Sequence, residues 1–89
     1  MGVKDDIRWL KEVNDRLMLF IEIGKEDDIG VKELKEVIGF DDWWPVKNHL
    51  EDLEDRGLIE ESGEGEYRIS EEGKKVFESL STVSGIESV

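Results

Sequence analysis

The sequence predicts an α+β fold: three helices, a two-stranded antiparallel hairpin, then a C-terminal helix. Three observations carry that expectation. Apolar residues recur every three or four positions in separate stretches up to residue 56; alternating or β-forming residues occupy 58–70 on either side of the glycine-containing loop SGEGE; helical spacing resumes after Ser70. A chain of 89 residues supports one hydrophobic core and not two. Residues 1–80 are therefore expected to form a single domain, and 81–89, STVSGIESV, a frayed and flexible tail.

The first helix is expected over 5–23, DDIRWLKEVNDRLMLFIEI, where Ile7, Leu10, Leu17 and Ile21 make a stripe widened by Val13 and Phe20. Glu12 and Arg16 form an acid-first i,i+4 pair on it, and Gly24 with the polar run KEDD ends it. Ile29 is a strand of one or two residues. VKELKEVIG, 31–39, is a short helix with Val31, Leu34, Val37 and Ile38 facing inward and Gly39 just past its end. Phe40 and Asp41 make a tight connection to the third helix, 42–56. Asp42 is its N-cap, Pro45 is tolerated in a first turn that has no upstream carbonyls to bond, and Gly57 stops it. Asp52 and Arg56 are spaced for an ion pair on this helix. LIEES and EYRIS form the two-stranded ribbon. Ser70 opens the last helix, which runs through Leu80 with Val76, Phe77 and Leu80 apolar and Glu71–Lys75 as a further i,i+4 pair.

Charge is the anomaly of composition. The chain carries 24 acidic and 12 basic residues, a net charge of −12, spread along its whole length. A field of that sign repels phosphates and disfavours nucleic acid or anionic lipid as a default partner. No stretch approaches the roughly 18 consecutive apolar residues of a spanning helix, and the opening MGVKDDIRWL is charged where a secretory signal is apolar. A cytoplasmic protein is expected, with no membrane partner. Without cysteine, and with the single His49, neither a disulfide framework nor a clustered metal site is available, so no cofactor is expected. There is no nucleophile–base set and no glycine-rich phosphate loop, which argues against an enzyme.

Three helices, the second and third joined by a short turn, followed by a hairpin, is the order of a winged helix-turn-helix: a three-helix core, a two-stranded β-hairpin wing and a C-terminal helix. VKELKEVIGF, VKNHLEDLEDRGLIEES and GEYRISEEGKKVF, within about residues 7–80, resemble the small prokaryotic winged-helix transcriptional regulators of MarR, ArsR and PadR type, most of all the short phage-repressor-like regulators of archaea. The most specific part is L-x-x-L-x-x-x-G-L-I at 50–59 followed by Y-x-I-S-x-x-G at 67–73. The resemblance implies a repressor-like regulator binding double-stranded DNA, with helix 42–56 in the major groove and hairpin 58–70 as the wing. It places Trp44, Lys47 and Asn48 at base-contacting positions and Arg68 as the wing's phosphate contact. Asn48 suits a bidentate bond to adenine, and Lys47 a bond to guanine or phosphate. A homodimer is the expected assembly, with contacts from the first and last helices through Trp9, Met18 and Phe77.

The acids depart from that pattern. Between 41 and 55, six of them (Asp41, Asp42, Glu51, Asp52, Glu54, Asp55) face one lysine, and the hairpin sets Glu60, Glu61, Glu64 and Glu66 against Arg68 where a typical wing is basic. One like-charge pair at about 8 Å in water costs roughly 0.5 kcal/mol before screening, so the usual counterion-release drive is expected to be weak. The alternative is an acidic winged-helix module binding a protein partner in transcription or replication machinery, with Trp44 as its anchor.

The adjacent tryptophans divide on spacing. Steps of three and four from Trp43 reach Val46, Leu50 and Leu53, the apolar stripe, so Trp43 is expected in the core. The same steps from Trp44 reach Lys47, Asn48, Glu51 and Asp55, the polar face, so Trp44 is expected outward. His49 is expected to be partly buried and structural.

Overall fold

The computed structural model describes residues 2–26 and 28–88, with side chains up to Leu80. Along the chain these form α1 (Val3–Lys11), α2 (Asn14–Lys25), β1 (Ile29–Gly30), α3 (Val31–Ile38), α4 (Trp43–Asp55), β2 (Ile59–Gly63), β3 (Glu66–Ile69) and α5 (Glu71–Ser88). The architecture is α+β: helices packed around one core, with a three-stranded antiparallel sheet at the side.

The single helix expected over 5–23 is two helices. Val13 is extended (φ −130°, ψ 107°) and precedes α2 as its N-cap. The Arg16 guanidinium reaches back to donate to the Trp9 carbonyl at the end of α1, which also accepts from the Glu12 amide. Spacing could not show the break, because apolar residues on both sides of it face one core: Leu10, Leu19, Phe20 and Ile23 are all fully buried. Gly24 does not end the helix either. It sits inside α2 against the Phe77 ring, where an added Cβ would come within 2.4 Å of Phe77 Cδ1. Glycine here is a close-packing residue.

The ribbon gains a third strand. β1 pairs with β3 through Ile29↔Tyr67 and Gly30↔Glu66, and β2 pairs with β3 on its other edge, giving the order β1-β3-β2. Ile29, Ile59 and Tyr67 turn one face of this sheet into the core. The hairpin closes through Glu64 and Gly65 (φ 76°), with the register shifted between Glu61 and Gly63.

α3 and α4 are joined by Gly39–Asp42. Gly39 adopts φ 85°, the left-handed backbone that lets its own and Phe40's amides both close on the Lys35 carbonyl. Val31, Leu34 and Ile38 pack inward, but Val37 is 56% exposed, contrary to expectation. It stands six positions after Val31, off the i, i+3, i+7 face. α4 begins as expected, with the Asp42 carboxylate accepting from the Trp44 amide at 3.3 Å. Val46, Leu50 and Leu53 are fully buried along it.

The Ser70–Gly73 spacing has a mechanical cause. Ser70 Oγ donates to the Gly57 carbonyl (2.6 Å) and accepts from the Gly73 amide (3.0 Å), while the Ser70 amide bonds the Leu58 carbonyl. The start of α5 is thereby drawn onto the α4–β2 connection so closely that a Cβ on Gly73 would lie 2.0 Å from the Leu58 carbonyl oxygen. α5 then runs past Leu80 to Ser88. The side chains of the tail expected at 81–89 lie outside the described residues. The acid–base pairs on α5 form at i,i+3, Glu71–Lys74 (4.0 Å) and Glu72–Lys75 (3.5 Å), instead of Glu71–Lys75.

Candidate functional site

α4 separates two clefts, and its charges are sorted between them. On one side lie Trp9, Arg16, Asp52, Asp55 and Arg56. The Arg16 guanidinium carbon stands 3.6 Å from the Trp9 ring centroid and that of Arg56 4.7 Å, so a single indole carries two cation–π contacts. Arg56 does not pair with Asp52; its Nε reaches across to Asp6 on α1 at 2.7 Å. Arg16 also approaches Glu12 at 3.9 Å. Burial pulls the Arg16 guanidinium below its ordinary pKa, opposed by the carboxylates of Asp52 and Glu12, and an arginine remains charged all the same. The indole and both cations are therefore used within the fold, tying α1, α2 and α4 together.

On the other side, Val31, Lys32 and Lys35 of α3 face Trp43 and Lys47 of α4 across a cleft of about 500 Å³. Trp43 is 51% exposed, so it does not belong to the core as the spacing predicted. It is the first residue of α4, and Phe40, in the preceding turn, packs against the core instead. Trp44 is exposed as expected, at 57%. The two rings meet edge to face, with centroids 4.9 Å apart and planes at 68°, and together with Asp42 they line a second hollow of about 320 Å³. Trp43 thus borders open space in both.

The cations divide accordingly. Among the described residues, Arg16, Lys25, Arg56, Arg68, Lys74 and Lys75 make ion pairs. Lys32, Lys35 and Lys47, which ring the Trp43 cleft, make none. Lys4, Arg8 and Lys11 are likewise without ion pairs among the described residues, but they lie along α1 and no exposed indole accompanies them.

Of the residues singled out from sequence, Trp44, Lys47 and Asn48 come together near the start of α4, with Trp44 and Asn48 exposed and Lys47 half-buried. Arg68 does not join them. It is held across the hairpin by Glu60 at 2.8 Å, spanning paired positions of β2 and β3. His49 is half-buried. Lys32, Lys35 and Trp43 were missed. The signal for the lysines was present, two cations three apart on a helix that a short turn packs against Lys47, but it appears only once α3 and α4 are considered as one surface.

The acids of α4 are also distributed. Asp52 and Asp55 border the Trp9 cleft. Glu51 and Glu54, with Glu61 of β2, lie toward the hairpin: burial first, then these three carboxylates, push the Tyr67 hydroxyl above its ordinary pKa. Asp42 is engaged at the N-cap. The hairpin end of α4 is consequently acidic, while the cleft between its first turns and α3 is lined by Lys32, Lys35 and Lys47, with Asp42 on the neighbouring hollow.

Two residues of the expected dimer surface serve the chain itself. Phe77 packs edge-on against Phe20 (6.3 Å) and over Gly24, and Trp9 lies under its arginines; Met18, at 41%, stays exposed. No described helix is long and apolar enough to cross a membrane. Comparison with protein families, with curated proteins and with solved structures gives no match to this chain.

Proposed function

We propose that the chain is a winged-helix DNA-binding regulator that meets duplex DNA with the α3–α4 end. The observation that carries this reading is the convergence of Lys32, Lys35 and Lys47, without ion pairs among the described residues, on an exposed tryptophan in a chain of net charge −12. Unpaired cations on so acidic a surface gain from an anionic partner, and the exposed Asn48 beside them supplies the donor–acceptor pair that reads adenine. The hairpin contributes little to this contact, because Arg68 is occupied by Glu60 and its neighbours are carboxylates. Contact with DNA is thus concentrated at one end of α4 and is short.

The test is duplex binding across ionic strength. Neutralising about 3 phosphates gives a log–log slope near −2.7, or about a forty-fold loss of affinity between 50 and 200 mM salt. Replacing Lys32, Lys35 and Lys47 with Gln should flatten that slope, whereas replacing Lys4, Arg8 and Lys11 should leave it. Absence of binding to any duplex at low salt overturns the reading.

The second reading, a protein-binding module, is favoured by one observation: two large indoles exposed side by side, as interface anchors are. Binding of a protein partner that needs Trp44 and ignores Lys35 would select it.

A further inference from the structure

We infer that the Trp43 cleft takes an unpaired nucleotide of a nucleic-acid strand, its base stacked on the Trp43 indole and its phosphates held by Lys32, Lys35 and Lys47. This rests on the preceding reading in that the same end of the molecule meets nucleic acid, but it names a different form of it: an overhang, bulge or single strand in place of a closed helix.

The geometry argues for it in three ways. Trp43 borders hollows of about 500 and 320 Å³, so a planar ring has somewhere to lie against it. The larger hollow falls in the range of ordinary small-molecule clefts and is too local for a stretch of duplex. Base–aromatic stacking needs an accessible aromatic ring, with cations nearby for the backbone, and tolerates any base; Trp43 is half exposed. The third argument is electrostatic. Duplex DNA laid along α4 carries its phosphates on toward the hairpin, where Glu51, Glu54, Glu60 and Glu61 stand. An unpaired nucleotide is satisfied by the α3–α4 cleft alone and leaves that acidic end in solvent.

The test compares labelled oligonucleotides by fluorescence anisotropy at low salt: a blunt duplex, the same duplex with an unpaired thymidine overhang, and an oligothymidine single strand, with thymidine monophosphate as a competitor. The overhang and the single strand should bind about tenfold more tightly than the blunt duplex. Trp43→Leu, which keeps an apolar side chain but removes the stacking face, should return the overhang to blunt-duplex affinity while the blunt duplex itself is unchanged; a thermal melt verifies that the variant folds. Trp44→Leu provides a second variant on the same helix turn and should reduce the overhang's advantage less. An overhang that binds no better than the blunt end, or a Trp43→Leu loss equal for both, overturns the inference and leaves duplex binding standing. No binding of any oligonucleotide overturns both. Displacement of the overhang by stoichiometric thymidine monophosphate would show a free-nucleotide site and overturn the strand as occupant.

Discussion

The two clefts flanking α4 hold the same kinds of side chain, a tryptophan and basic groups, in opposite states. At Trp9 the two guanidiniums lie on the ring and are tied to Asp6, Glu12 and a helix-end carbonyl. At Trp43 the ring is half exposed, and the three lysines around it have no ion pair among the described residues. The difference is one of completion. At Trp9 the cations are held by the ring and by groups of their own chain; at Trp43 the ring touches Trp44, and the lysines beside it have no ion pair among the described residues, the contrast on which the proposed nucleic-acid contact rests.

That contrast breaks most readily at the indoles. Trp9→Ala should destabilise the fold by about 3 kcal/mol, since it opens a space beneath Arg16 and Arg56 and removes both cation–π contacts. Trp43→Ala, removing a ring already half in water, should cost only roughly 1 kcal/mol. Paired urea denaturation curves measure both, and equal losses would erase the distinction between the clefts. A smaller effect sharpens it. Arg56→Gln and Asp6→Asn each break a largely buried charged hydrogen bond and should each cost about 1.5 kcal/mol, with the double variant little worse than either single one. Neither should alter nucleic-acid affinity, because the Trp9 cleft is on the other side of α4.

Much of the fold was legible because local chemistry and tertiary packing agree. Asp42, Gly39, Gly57 and Ser70 mark helix boundaries through capping and left-handed backbone that act within a few residues. The failures are non-local. The α1–α2 break depends on Arg16 folding back to a carbonyl seven residues away. The third strand depends on where β3 lies relative to Ile29, and Arg56 finds its carboxylate fifty positions away on α1. Trp43 failed for a different reason. Spacing reports which side of a helix a residue occupies, not whether anything covers that side at its first turn. The candidate site was half legible: Trp44, Lys47 and Asn48 sit on one helix, while Lys32 and Lys35 come from its neighbour and Arg68 pairs with Glu60 across the hairpin, away from them.

The most direct test of the proposed nucleic-acid contact is an amide-shift titration of isotope-labelled protein with duplex DNA at low salt. Shifts confined to Lys32–Lys35 and Trp43–Asn48, with the indole signal of Trp43 moving and that of Trp9 still, are the predicted result. Shifts centred on the hairpin, or none at any position, would contradict it.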